Sequence, residues 1–175
     1  MDSIGRVGAV SIDARDVPGL SADAKTQFMA EALAESRKAL PACRPNPPVG
    51  CVIVDDVGRR DDGGAGRVVA RGFTGRPGEP HAEASALASL GADHDGRHLA
   101  AFVTLEPCAF AGRTPSCAKA LVDRGIGRVF VAILDPHTRN SGRGVQLLRD
   151  AGVVVELGIL EPAVRAFLEP YLLGL

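Results

Sequence analysis

The sequence predicts an α/β domain: a three-layer αβα sandwich around a mixed, mostly parallel five-stranded sheet. Three observations carry this expectation. Short β-branched or apolar runs, clearest at 49–54, Leu99–Leu105 and 128–134, alternate with segments of helical period. Glycine, proline and aspartate gather at the junctions between them. Histidine and cysteine recur just beyond strand ends, where open α/β sheets hold their ligands.

With 175 residues, 46% of them hydrophobic and 23% charged, the chain is large enough to bury one core. Its net charge is -1 and its aromatic content 4%, with no Trp, so it lacks the cationic footprint and stacking platforms of a nucleic-acid binder. A small-molecule partner is expected instead. No apolar run approaches the roughly 18 residues that span a bilayer. Asp2, Arg6, Asp13, Arg15 and Asp16 interrupt any secretory segment, so a soluble, cytoplasmic protein without a membrane partner is expected. In a reducing compartment the four cysteines read as ligands and buried thiols rather than disulfides.

Residues 1–20 carry scattered charges, three glycines and a proline without a sustained period, and read as an N-terminal arm before a domain at 21–175. Ser21 is a good N-cap for a first helix ending before Pro41, with Met29, Leu33, Ser36 and Leu40 on its core face. A proline-rich loop holds Asn46, and 49–54 is a buried strand. Residues 55–66 are turn-like but long for a hairpin. Arg67–Phe73 returns as a second strand, antiparallel to the first. His81 opens a helix to about Leu90, Leu99–Leu105 is a third strand, and Cys117 opens a helix that Gly125 ends. A strand at 128–134, a helix at 144–151, a strand at 153–157 and a closing helix at Glu161–Leu172 complete the chain.

Within this frame, Pro80-His81-Ala82-Glu83 is followed by Glu106-Pro107-Cys108 and then, after Gly112-Arg113-Thr114-Pro115-Ser116, by Cys117. One histidine and two cysteines supply three protein ligands for a catalytic zinc and leave the fourth position to water. His-x-Glu with Pro-Cys is the signature of zinc deaminases, whose glutamate is not a ligand. His81, Cys108 and Cys117 are therefore expected to hold Zn2+, and Glu83 to carry protons between water, a ring nitrogen and the departing amine. Both cysteines are expected at helix N-termini, where the dipole favours the thiolate. Cys43 and Cys51 are expected to be packed thiols. Taken singly, His81 is as readily a surface histidine and Glu83 a solvated helix residue; the combination and its order are what point to chemistry.

With these residues in view, the chain resembles the deaminase domain of the bifunctional riboflavin-biosynthesis protein, within the cytidine deaminase superfamily. The resemblance runs from about residue 21 to 160. It is carried by Asn46-Pro47-Pro48-Val49-Gly50-Cys51, Gly78-Glu79-Pro80-His81-Ala82-Glu83, Thr104-Leu105-Glu106-Pro107-Cys108, Gly112-Arg113-Thr114-Pro115, Asp135-Pro136 and Gly142-Arg143-Gly144. The wide spacing to Cys117 favours this branch over those with a compact Pro-Cys-x-x-Cys. The resemblance implies that Asn46 contacts the base and that Arg113 with Thr114 reaches a substrate phosphate. It also implies a homo-oligomer, a dimer, for which the apolar 171–173 tail would suit an interface. Two positions depart from the family pattern: Thr74 and Phe110 stand where it usually has histidines, so both are candidates for reshaping the substrate pocket. The expected activity is removal of an exocyclic amine from an aminopyrimidine-type heterocycle, by default the riboflavin-pathway diaminopyrimidinone carrying ribosylamino phosphate. The alternatives are a related deaminase recruited to antibiotic or modified-nucleoside synthesis, a nucleic-acid editing or RNA-binding protein, and a catalytically silent subunit.

Overall fold

A computed structural model describes residues 20–55, 66–111 and 115–172. The first helix, α1 (Ala22–Lys38), starts where Ser21 accepts the Ala24 N–H at 3.2 Å, a cap contributing about 1 kcal/mol. Its buried face carries Phe28, Met29, Ala32, Leu33 and Ser36, while Leu40 lies half-buried beyond the helix end. The expected arm at 1–20 lies outside the described residues except for Leu20, which is buried against the core.

Five strands follow: β1 (Gly50–Asp55), β2 (Arg67–Phe73), β3 (Leu99–Leu105), β4 (Arg128–Ile133) and β5 (Val154–Leu157), in sheet order β2-β1-β3-β4-β5. The sheet is mixed, as expected, and four of its five strands run in one direction, β1 alone being reversed. β1 runs antiparallel to both β2 and β3, and parallel pairing is confined to β3–β4 and β4–β5. The β1–β2 hairpin inserts β1 into the sheet, so the strand beside β3 is the reversed one. Most of 55–66, the long turn of that hairpin, lies outside the described residues.

α2 (Ala82–Ser89), α3 (Cys117–Asp123) and α4 (Arg143–Asp150) cover one face of the sheet; α1 and α5 (Glu161–Leu172) cover the other. Close approach is enforced by missing side chains. A Cβ on Gly50 would stand 2.0 Å from the Ala32 carbonyl of α1, and one on Gly72 would stand 2.3 Å from the Ala82 carbonyl of α2. On the α1 face, Phe102 stacks on Phe130 at 4.5 Å and meets Phe28 at 5.4 Å, contacts worth about 0.5–1.5 kcal/mol each beyond burial. β3 and β4 are buried along their whole length, which explains their near-continuous apolar sequence.

The reversal of β1 matters for the site. The carboxyl ends of β2, β3 and β4 and the amino end of β1 all reach the same sheet edge, with Asn46 and Val49 leading in and Thr74, Cys108 and Asp135 leading out.

Candidate metal centre and active site

His81 occupies the N-cap position of α2, so its side chain faces the sheet edge while Glu83 sits in the first turn. Cys117 is the first residue of α3, which is capped by Ser116 through the Lys119 N–H at 3.2 Å. Cys108, contrary to expectation, opens no helix of its own. It lies in extended chain after β3, pinned to the N-terminus of α3: its carbonyl accepts the Ala118 N–H at 3.1 Å and its sulfur the Cys117 N–H at 3.3 Å. Both sulfurs therefore share one helix end.

His81 Nδ1 stands 3.4 Å from Cys117 Sγ and 3.9 Å from Cys108 Sγ, and the three donor atoms lie within 4.8 Å of one another. Tetrahedral bonds of about 2.0–2.3 Å separate ligand atoms by roughly 3.5–3.8 Å, so the spacing suits zinc. The donors suit it chemically as well, since two thiolates and a neutral imidazole balance its charge. The hydrogen bond from the Cys117 thiol lowers Cys108 to about 4, whereas the same bond and burial raise Cys117. The bond to Cys108 raises His81. Cys43 and Cys51 are buried away from the cluster with thiols raised by burial, the packed residues expected of them.

Glu83 is only 4% exposed, and burial first, then the Cys108 charge, raises its carboxyl to about 7. It and His81 line a cavity of about 290 Å³ that Asn46, Thr74 and Phe110 also border. An adjoining cavity of about 610 Å³ shares Asn46, His81, Cys108 and Phe110 with it. Thr74 borders the first cavity, but its hydroxyl is engaged elsewhere, accepting the Val49 N–H at 3.0 Å and fastening the end of β2 to the start of β1. Arg113 and Thr114 lie outside the described residues.

Sequence reasoning gave no role to the support behind Cys108. Glu106, buried at 4% exposure, accepts four backbone N–H groups: Asp135 at 3.1 Å, Gly142 at 2.9 Å, Gly144 at 2.9 Å and Val145 at 3.2 Å. Asn140, fully buried, accepts the Ala109 N–H at 2.9 Å and donates to the Glu106 and Pro107 carbonyls at 3.5 and 3.4 Å. Together they bolt the Pro107-Cys108 segment to the loop after β4 and to α4. A glutamate directly before Pro-Cys was the available signal. Its partners, 29 to 39 residues further on, had none.

The family model described as "Cytidine and deoxycytidylate deaminase zinc-binding region" matches residues 22–133, the span that holds His81, Glu83, Cys108 and Cys117. The chain belongs to this deaminase family. Among its relatives, the riboflavin biosynthesis protein RibD of Aquifex aeolicus is 40% identical over 144 residues, which cover 82% of this chain and 37% of the relative. Among solved structures, Acinetobacter baumannii RibD superposes with a TM-score of 0.75 at 40% identity, covering 86% of this chain and 40% of that one. The Thermotoga maritima diaminohydroxyphosphoribosylaminopyrimidine deaminase/5-amino-6-(5-phosphoribosylamino)uracil reductase does so with a TM-score of 0.73 at 35% identity, covering 86% and 40%. The chain thus spans less than half the length of each. The αβα architecture and the zinc cofactor expected from the sequence are those of the family. No described helix is long and apolar enough to cross a membrane.

Proposed function

We propose that the chain is a zinc-dependent hydrolytic deaminase for a phosphoribosylated aminopyrimidine of the riboflavin pathway. The observation that carries the proposal is the burial of Glu83 in the wall of a cavity that His81 and Cys108 also line, two of the three convergent donors that Cys117 completes. His81, Cys108 and Cys117 hold the metal, which when bound acts as a Lewis acid and lowers the pKa of water to about 7. Glu83 carries the protons. One carboxylate oxygen takes a proton from the attacking water and gives it to the ring nitrogen beside the amine-bearing carbon, which makes that carbon electrophilic. The same carboxylate then delivers the water's second proton to the amine, so that the ring gains a carbonyl and ammonia leaves. Asn46, whose side chain borders both cavities, holds the heterocycle, and Arg113 with Thr114 reaches the phosphate. The unit performing this is a domain of 21–175 preceded by an arm, and it works as a cytoplasmic homodimer.

Ammonia release by the zinc-loaded protein tests the proposal, with a panel of the pathway pyrimidine, cytosine, cytidine, guanine and adenosine. Release from the pathway pyrimidine, lowered at least about 100-fold in Glu83→Gln, is expected. A second reading, a deaminase recruited to another heterocycle, draws on the apolar Phe110 wall and on the engaged Thr74 hydroxyl, which leave fewer polar groups facing the ligand. Release from a different member of the panel would favour it.

A further inference from the structure

One residue with a permanent positive charge borders the catalytic cavity among the described residues: Arg139, in the loop after β4. Its guanidinium carbon lies 4.6 Å from the centre of the Phe110 ring. A cation over an aromatic face is held by the ring and not by a hydrogen-bond acceptor, so this contact leaves the guanidinium N–H donors unspent. No carboxylate among the described residues bridges to Arg139, in contrast to Arg71 and Arg97, whose guanidinium donors are taken up by Glu31 and Asp95. The backbone N–H of Arg139 donates to His137 Nδ1 at 3.2 Å. His137 borders the same cavity.

The carboxylates nearby do not consume this cation. Glu106 is spent on four backbone amides, and Asp135 Oδ1 accepts the His137 N–H at 2.9 Å. What remains is a fork of donors with no carboxylate partner among the described residues, bordering a cavity that His81, Cys108 and Glu83 also line. Such a fork matches the oxygens of a phosphate two at a time.

We infer that Arg139, held over the Phe110 ring with His137 bordering the same cavity, is a second phosphate anchor, additional to Arg113 and Thr114, that selects a phosphorylated heterocycle for deamination. This rests on the deaminase reading above and adds a specificity-determining residue to it. Phe110, 39% exposed and apolar at the cavity rim, is the platform that holds the guanidinium in place.

The test is calorimetric binding to the zinc-loaded Glu83→Gln protein, which holds substrate without turnover. The ligands are the phosphoribosylaminopyrimidine and its dephosphorylated counterpart. Adding Arg139→Ala is expected to weaken the phosphorylated ligand about 10- to 100-fold, the range for a hydrogen bond to a charged group, and to change the other less than about 3-fold. Arg139→Lys restores part of the difference, and Phe110→Ala reproduces part of the loss with the same selectivity. With Glu83 intact, Arg139→Ala raises KM and leaves kcat within a few-fold. Equal weakening of both ligands, or of neither, overturns the anchor and leaves the deaminase reading standing. If the Arg139 protein binds neither pyrimidine and releases no ammonia from them, the deaminase reading itself falls and the anchor with it.

Discussion

Glu106 is a carboxylate in the protein interior, and its place depends on four amide donors aimed at two oxygens. Glu106→Gln keeps the shape but turns one oxygen into a donor facing other donors. Each N–H left without an acceptor costs about 1–3 kcal/mol, so the urea midpoint is expected to fall clearly with unchanged slope. Because those amides seat the segment that carries Cys108, the variant is also expected to lose zinc faster to a chelator. Other buried polar groups follow the same logic. Ser36 and Thr104 share a hydrogen bond at 3.1 Å, and Thr104 also accepts the Gly50 N–H at 3.0 Å, fixing the start of β1 beside Asn46.

Between elements, fit is set by glycine. A Cβ at Gly144 would fall 1.9 Å from the Pro107 carbonyl, so α4 can lie against the Cys108 segment only while position 144 has no side chain. Gly144→Ala is expected to push α4 away, at a cost of about 1–3 kcal/mol, and to weaken zinc retention in a competition with chelator. Its counterpart Gly125→Ala, at a position with φ of 79° and open space, costs stability through backbone strain and leaves zinc retention unchanged. These element contacts also mark what sequence could tell. β2, β3 and α5 have the expected limits, because alternation, continuous apolar character and a helical period are local signals. The metal donors were legible because their residue types and order are chemically distinctive. The reversed partner of β3 was not, since nothing within β1 specifies which way its neighbour runs. Nor was the Arg139–Phe110 contact, which joins two loops 29 residues apart that each read as ordinary surface.

Over the whole molecule, the four thiols report on metal and fold separately. With zinc bound, none of Cys43, Cys51, Cys108 and Cys117 is expected to react with iodoacetamide. After chelation, Cys108, half-buried and favoured as thiolate, is expected to alkylate first, while the buried Cys43 and Cys51 wait for unfolding. Mass spectrometry of the labelled peptides reads this order directly. Zinc at 100 times its Kd is expected to raise the stability of the fold by about 2.7 kcal/mol, seen as a higher Tm that chelator reverses.

The clamp made by Glu106 and Asn140 also sets a schedule. His81, Cys108 and Cys117 are translated before the 135–145 segment whose amides seat Cys108. At roughly 5–20 residues per second, about 1–6 seconds separate synthesis of the last donor from that of Val145. A nascent chain therefore presents its metal donors before it can lock them, and ions captured in that interval can still exchange. Exchange of a captured ion is expected to slow once α4 has docked, read as slower loss of zinc to chelator from the full chain than from one ending before residue 135.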